Sequence, residues 1–382
     1  MDVLRGLPYL VRLIEDASRA LTQKRPAPVA VTSVGKPGPV IGNAVVLTRH
    51  GGPEALEVRP WEVPPPGSKE VRVRVEAAGI SFADLLICHG LHPERRRTPH
   101  VPGWDVLGIV ESVGSDVTGV RVGERVASLP IVGGWAEHAV VRADWVVPVP
   151  ATLASTTAIC VVFDYVVAYQ MLTRSTEARR GDTVLLQGAG GGVGTAFMQV
   201  ARELGVRVLG TDREAKRTHI EAQGGIPIDF EHEDVAARCR ELTEGRGVDC
   251  AYDGIGASAR TSLQALRPGG RLVWFGMVTL LSRGARDWRS SAKTLGNVAL
   301  AFAGNLRPRG KRTSFYSIQV LGRRHPDWYR NDLATLLAML AEGKLAPQIA
   351  AVLTLEEVPA ALANLAGHGP PGKQVIAVAP AE

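Results

Sequence analysis

The sequence predicts a mixed α/β protein of two domains, in which a parallel sheet covered by helices is inserted into a β-rich domain. At 382 residues the chain exceeds the size at which one hydrophobic core usually stops growing. Strands and helices alternate through its middle third, whereas short strands separated by Gly and Pro dominate before it. We therefore divide the chain into 1–42, a β-rich domain of 43–159 and 313–382, and an inserted domain of 160–312.

The first segment predicts an amphipathic helix followed by a linker. Residues 1–24 place Leu7, Leu10 and Ile14 on one helical face with charged residues opposite. Several prolines, beginning with Pro26, then interrupt regular structure over 25–42. The helix either packs on its own domain or docks a protein partner, and the sequence leaves both interpretations open.

The β-rich part is predicted from alternating apolar and charged residues and from closely spaced glycines and prolines. Residues 71–75 alternate apolar and charged side chains as a half-buried strand does, and 106–113 and 145–149 are further apolar strands. Closely spaced glycines and prolines between them are typical of a small, irregular barrel or sandwich.

The inserted part is predicted as strand–helix repeats. Predicted strands are 183–186, 207–209, 248–252 and 271–275, and predicted helices are 193–204, 214–223 and 259–266. Two more helices (333–342 and 356–365) and a strand (374–378) follow. Apolar strands alternating with helices indicate a parallel sheet covered on both faces.

Composition excludes several classes of function. The net charge is +6, but the arginine clusters are short and adjoin Pro or Gly, which favours a solvated basic surface over a nucleic-acid site. The four cysteines lie far apart, so neither a disulfide framework nor a thiolate zinc lobe is expected. No run of 18 consecutive apolar residues exists, and the first residues do not resemble a secretory signal. We expect a cytoplasmic protein with no nucleic-acid or membrane partner.

A glycine-rich turn marks a dinucleotide site. The predicted strand 183–186 runs into Gly188-Ala189-Gly190-Gly191-Gly192-Val193-Gly194, and a helix follows. Glycines let the backbone approach a pyrophosphate closely, and the N–H groups at the helix N-terminus bind its oxygens. Because the motif lies between a strand and a helix, it predicts cofactor contacts from Gly191, Gly192 and Val193.

The end of the next strand bears on which dinucleotide binds. Thr211-Asp212 follows about 20 residues after the turn, where an acid would bind the ribose hydroxyls of NADH. Arg213 and Lys216 come next and would pair with the 2′-phosphate of NADPH. We favour NADPH, and NADH stays open.

Over residues 43–382 the chain resembles the medium-chain dehydrogenase/reductases, especially the quinone oxidoreductases and the related vesicle amine transport proteins. The motifs that carry the resemblance are AGISFAD (78–84), PGWDVLG (102–108), VRVGERV (120–126), GWAEH (134–138), YQML (169–172), the glycine turn and GK (372–373). The resemblance implies a Rossmann domain inserted into a GroES-like catalytic domain, and a homodimer.

The same resemblance argues against zinc. Zinc-dependent alcohol dehydrogenases of the superfamily have a cysteine ligand where Ser81 stands and a His-Glu pair where Trp104-Asp105 stands. Zinc needs three or four N, S or O ligands in close geometry, so we predict no metal site. The implied activity is hydride transfer from NAD(P)H to an enone or a quinone, a small-molecule substrate that secondary metabolism would supply.

The resemblance places the nicotinamide near Gly276, Met277 and Lys373, and the substrate near Ser81, Asp164, Tyr165 and Tyr316. We take Ser81, Asp164 and Tyr165 as catalytic candidates; packing at the domain junction is the alternative for Tyr165. His89 and His92 lie on the loop after Asp84, where exposure is usual and catalysis the alternative.

Three departures from the relatives keep a second hypothesis open. The relatives carry Asn at the positions of Ser81 and Asp164, and Thr at that of Val167. A reductase site eroded in this way would leave a dinucleotide-binding partner or sensor, or non-redox chemistry, with residues 1–24 as a docking element.

Overall fold

The structure is a computed structural model that describes residues 38–92, 96–276, 302, 305, 310–366 and 369–378. The predictions for residues 1–24 and Met277 lie outside the described residues. The description below follows the two sheets and the helix that joins them.

The N-terminal part of the described chain is β-rich, as predicted. Its strands are β1 (Val40–Leu47), β2 (Leu56–Val63), β3 (Glu70–Ile80), β4 (Val106–Val113), β5 (Arg125–Ser128), β6 (His138–Arg142) and β7 (Val147–Pro148). Helix α1 (Phe82–Cys88) follows β3 directly. The strand predicted at 145–149 is reduced to β7, because a helical turn at Ala143–Trp145 occupies its start.

The predicted linker ends earlier than position 42. Strand β1 begins at Val40, which pairs with Val63 of β2, so Val40 to Gly42 belong to an antiparallel hairpin. The apolar half of β1 is buried, and this burial stabilises its pairing.

A long helix, α2 (Ser155–Ser175), connects the β-rich part to the parallel sheet. It contains two π-helical turns, Val161–Tyr165 and Met171–Ser175. By length and composition α2 could cross a membrane, but 78% of its most apolar window is buried inside the protein. The sequence had not singled it out, and its burial identifies it as a core helix.

The predicted parallel sheet is confirmed, with strand order β10-β9-β8-β11-β12-β13 and parallel pairing throughout. Its strands are β8 (Thr183–Gln187), β9 (Arg207–Asp212), β10 (Ile226–Asp229), β11 (Val248–Asp253), β12 (Leu266–Trp274) and β13 (Arg312–Phe315). The helices between them are α3 (Gly192–Leu204), α4 (Arg217–Ala222), α5 (Val235–Glu241) and α6 (Ala259–Ala265).

The predicted domain boundary at 312/313 is shifted by β13. This strand pairs with β12 in the parallel sheet, so Thr313 to Phe315 belong to the inserted domain. The chain then continues through α7 (Ile318–Arg324), α8 (Pro326–Ala341), β14 (Ile349–Leu353), α9 (Val358–Ala366) and β15 (Lys373–Ala377).

The last strand returns to the first domain and so closes the insertion. Strand β15 pairs antiparallel with β3 and parallel with β14 in the sheet order β14-β15-β3-β4-β5-β7. One continuous apolar core, which includes Leu107, Val162 and Val184, runs from this sheet through α2 to the parallel sheet. The junction of the two domains is therefore packed, and the start of β15 lies beside α2.

Candidate functional site

The glycine turn has the local geometry that the sequence predicts. β8 ends at Gln187, and α3 begins at Gly192. A Cβ on Gly194 would lie 2.1 Å from the carbonyl oxygen of Ala189, so only glycine fits where the helix approaches the turn. A Cβ on Gly191 would instead meet no atom within 4 Å. The open side of Gly191 and the helix N-terminus leave room for a bound pyrophosphate.

Thr211 and Asp212 are bound to this turn. Asp212 Oδ2 accepts a hydrogen bond from the backbone N–H of Gly190 at 2.8 Å. The Thr211 hydroxyl donates to Gln187 Oε1 at 2.7 Å. These bonds hold the end of β9 against the glycine turn, which is the arrangement that a ribose-binding acid requires.

The two basic candidates follow Asp212 in the chain and have different partners. Arg213 Nε is 2.9 Å from Glu231 Oε1 at the surface. Lys216 Nζ donates to the carbonyl oxygen of Gly369 at 2.8 Å. Burial lowers the pKa of Lys216, although the negative charge of Asp212 opposes that shift.

Gly276 follows β12 at the carboxyl end of the parallel sheet. A Cβ there would lie 2.6 Å from the carbonyl oxygen of Gly254, so the backbone approaches too closely for another residue. Ligands of open α/β sheets bind outside this end of the strands, which agrees with the predicted place of the nicotinamide.

A buried charged cluster lies where the two domains meet. Lys373 Nζ, at the start of β15, is 3.2 Å from Asp105 Oδ2 and 3.4 Å from Asp164 Oδ1. All three side chains are buried. Burial disfavours the Lys373 ammonium, but the carboxylates of Asp105 and Asp164 outweigh it and raise the pKa of Lys373. We call Asp105, Asp164 and Lys373 the junction cluster.

Asp164 links the junction cluster to the glycine turn. Its Oδ2 is only 2.4 Å from where a Cβ of Gly192 would stand, so the carboxylate lies against the first turn of α3. Burial raises the pKa of Asp164, and the charge of Lys373 opposes that rise. The structure thus brings together three predicted residues, Asp164, Gly192 and Lys373.

Ser81 lies beside this cluster, but its hydroxyl already donates a hydrogen bond to Asp84. Asp84 Oδ2 accepts from the Ser81 hydroxyl at 2.7 Å and from the Ser81 backbone N–H at 2.9 Å, which caps α1. Asp84 Oδ1 accepts from the Gly103 N–H at 3.2 Å. Burial raises the pKa of Asp84 to about 7, although the Ser81 hydrogen bonds oppose this shift.

The two tyrosine candidates point into the interior. The Tyr165 hydroxyl donates to Gln199 Oε1 at 2.8 Å, between α2 and α3. The Tyr316 hydroxyl donates to Gln170 Oε1 at 2.9 Å. Burial raises the pKa of both phenols well above the ordinary value. This geometry favours the packing role for Tyr165 over the catalytic one that we predicted.

Sequence reasoning had not selected Asp84, Trp104 or Asp105 as site residues. Asp105 Oδ1 also accepts from the Gly79 N–H at 2.7 Å, so it joins β3, β4 and β15 at one point. The PG-x-D motif contained the signal, because Trp104 and Asp105 occupy the positions of zinc ligands in the zinc-dependent relatives. In the part of the chain that the structure describes, no group of three His, Cys, Asp or Glu side chains could hold a metal ion.

Two family models match the chain. Residues 67–151 match the alcohol dehydrogenase GroES-like domain, and residues 192–307 match the zinc-binding dehydrogenase domain. These matches confirm the predicted fold class, a Rossmann domain combined with a GroES-like domain.

Curated relatives and solved structures agree with these models. The chain is 37% identical over 239 residues to a quinone oxidoreductase of Pseudomonas aeruginosa, covering 61% of this chain and 72% of that protein. It is 30% identical over 341 residues to the synaptic vesicle membrane protein VAT-1 homolog of Rattus norvegicus, covering 88% and 84%.

Among solved structures, the Escherichia coli quinone oxidoreductase complexed with NADPH superposes with a TM-score of 0.76 at 25% identity, covering 88% of this chain and 99% of that one. The chain belongs to the medium-chain dehydrogenase/reductase superfamily of oxidoreductases, with the quinone oxidoreductases and VAT-1 proteins as its relatives.

Proposed function

We propose that the protein is an NADPH-dependent, zinc-independent reductase of a quinone or of an activated C=C bond. The observation that carries this proposal is the contact of the junction cluster with the glycine turn, through Asp164 and Gly192. It joins a dinucleotide site to a buried, water-poor group of charges. Solved relatives that are complexed with NADPH support the choice of cofactor.

The chain's own residues would divide the work as follows. The N–H groups of Gly191, Gly192 and Val193 bind the pyrophosphate, and Arg213 and Lys216 bind the 2′-phosphate. Lys373 holds the carboxylates of Asp105 and Asp164 in place beside the glycine turn. The bound cofactor supplies the hydride, and the tightly packed junction excludes water from the reacting atoms.

The proposal of zinc independence rests on donor chemistry. At the positions of the zinc ligands the chain has Ser81, Trp104 and Asp105, and the carboxylate of Asp105 is occupied by Lys373 and Gly79. An indole offers no metal ligand, and a serine hydroxyl is a poor one.

The test is turnover of NADPH by the full-length protein with a panel of quinones and enones, followed by loss of nicotinamide absorbance. We expect acceptor-dependent oxidation of NADPH that survives dialysis against a chelator. Absence of turnover with every acceptor, although NADPH binds, would reject the reductase and favour the alternative. Loss of activity on chelation, restored by zinc, would reject the zinc-free mechanism.

The alternative is a dinucleotide-binding partner or sensor that no longer transfers hydride. The specific observation in its favour is that the donors expected to bind substrate are already engaged, Ser81 by Asp84 and Lys373 by two carboxylates. This hypothesis predicts NADPH binding with no reduction of any acceptor, and capture of a partner that depends on residues 1–24.

A cytoplasmic homodimer remains part of the proposal. Among the strands that the structure describes, β13 is at the edge of the parallel sheet, and its Phe315 side chain is 54% exposed. Edge strands with apolar side chains pair readily with a second copy. Sedimentation of the purified protein should give twice the chain mass, and Phe315→Lys should give one.

A further inference from the structure

Three donors at the domain junction are engaged within the protein, whereas the buried Tyr329 hydroxyl makes no hydrogen bond. The Ser81 hydroxyl donates to Asp84, and the Trp135 indole N–H donates to the carbonyl oxygen of Gly79 at 2.9 Å. Lys373 is held between two carboxylates. A substrate carbonyl that enters here therefore needs another donor.

Trp104 has a donor without a partner. Its side chain is 3% exposed, and its Nε1 makes no hydrogen bond with the protein. An unsatisfied buried N–H is unfavourable, so one that lies at a candidate site calls for a functional reason.

The surroundings of Trp104 place this donor beside the junction cluster. Trp104 immediately precedes Asp105, and its ring contacts Phe163 with 5.1 Å between centroids. Lys373 Nζ lies 5.4 Å from the centroid of the same Phe163 ring, and Asp164 follows Phe163 in the chain. One aromatic ring thus separates the indole from the ammonium that contacts both carboxylates.

The other side of the indole faces the loop after α1. The ring of His92 meets Trp104 edge-on, with 5.2 Å between centroids and 81° between planes. The Nε1 atom is buried, so a substrate oxygen reaches it only by displacing a neighbouring side chain. His92 is partly exposed.

We propose that the Trp104 indole N–H binds the carbonyl oxygen of the quinone or enone substrate and acts as its oxyanion donor. This inference rests on the proposed function and assigns the substrate contact within it. Hydride addition to the substrate carbon breaks the C=C π bond and moves an electron pair onto the carbonyl oxygen. The indole hydrogen bond strengthens as that charge grows, and the proton that completes the reduction comes from water. Trp104 keeps its own proton.

The substitution Trp104→Phe keeps an aromatic ring and removes the donor. We expect kcat/KM for quinones and enones to fall about 100- to 1000-fold, as for loss of one oxyanion donor, with NADPH affinity unchanged. The carbonyl stretch of a bound, isotope-labelled enone in the presence of NADP⁺ should move to higher wavenumber. The matched control is Trp145→Phe, an equal change at a buried indole that stacks on Tyr329, and it should alter neither readout.

Two further measurements distinguish loss of the indole donor from misfolding of the variant. Trp104→His keeps a ring N–H and should retain the lower carbonyl frequency. In the unmodified protein, one of the seven indole N–H resonances should move downfield when the enone is added.

The outcomes separate the two proposals. Turnover by wild type together with unchanged kcat/KM and carbonyl frequency in Trp104→Phe would overturn this inference and leave the reductase intact. An absence of turnover by wild type would overturn the reductase itself. A downfield resonance that persists in Trp104→Phe would also overturn the assignment.

Discussion

The cofactor side and the substrate side of the site are built differently. The glycine turn is one continuous stretch of chain from Gln187 to Gly194, and its shape is set by close approach of backbone to backbone. The substrate side is assembled from α1, the start of β4, the π-helical turn of α2 and the start of β15. At Gly194 the first region has no room for an added Cβ, whereas the second depends on charge compensation between distant segments.

The comparison teaches which side can vary. A local turn keeps its geometry as long as its glycines are kept. An assembled cluster can exchange one polar residue for another if each buried charge keeps a partner, as the Asp at position 164 shows beside Lys373. Substitutions that separate these two kinds of constraint provide the tests below.

The largest effect is expected at the glycine turn. Gly194→Ala places a Cβ 2.1 Å from the Ala189 carbonyl oxygen, so α3 must shift away from the turn. We expect a loss of roughly 3 kcal/mol in the free energy of unfolding and NADPH binding weakened more than about 100-fold. Urea unfolding and nicotinamide fluorescence titration measure the two effects.

The control is Gly191→Ala, whose Cβ meets no atom of the protein. It should unfold like wild type and yet bind NADPH more weakly, since the new methyl enters the space left for the pyrophosphate. Wild-type affinity in both variants would show that the dinucleotide binds elsewhere.

Loss of the cation from the junction cluster is the next largest effect. Lys373→Met leaves Asp105 and Asp164 buried without a counter-charge, which costs about 3 to 5 kcal/mol. Urea unfolding at pH 7 should show that loss, and the deficit should shrink as acid protonates the carboxyls.

The matched change Asp164→Asn keeps the Lys373–Asp105 pair and should cost much less. Equal losses in Lys373→Met and Asp164→Asn would mean that the cluster is held by packing rather than by charge.

A third prediction concerns pH. The pKa of Asp84 is raised by burial to about 7, so the folded protein holds a proton there that the unfolded chain releases near pH 4. The native state binds more protons over this window, and stability therefore falls as pH rises from about 4 to 7. From pH 5 to 8 the contribution lost is roughly 2 to 3 kcal/mol.

Asp84→Asn removes this titration, so the difference in unfolding free energy between variant and wild type should move in favour of the variant as pH rises. Parallel pH profiles for the two proteins would show that Asp84 does not titrate in this range.

The smallest effect is expected at the edge of the cofactor site. Arg213→Ala removes a surface guanidinium that pairs with Glu231, and exposed pairs contribute about 1 kcal/mol or less to stability. Stability should not change, while the Kd for NADPH should rise about tenfold with the Kd for NADH unaltered.

Glu231→Gln serves as the control, because it frees Arg213 for the phosphate and should not weaken NADPH binding. If wild type prefers NADH, Asp212 rather than Arg213 would be assigned to recognition of the adenosine ribose.

The sequence by itself determined the fold class, the glycine turn and most strands of the parallel sheet. Each depends on local signals, which are hydrophobic periodicity and the conformational freedom of glycine. The domain boundaries predicted from the sequence differ from the structure at Val40 and at β13, because pairing with a distant strand decides where a strand begins or ends.

Only the tertiary structure decided which polar groups meet. Lys373 and Asp164 are 209 residues apart, and Lys373 and Asp105 are 268 apart, so no periodicity could pair them. The partner of Tyr165 and the unpartnered indole of Trp104 depend likewise on how helices and strands pack. Buried polar groups are selected by three-dimensional neighbours, whereas backbone turns are specified by the residues that form them.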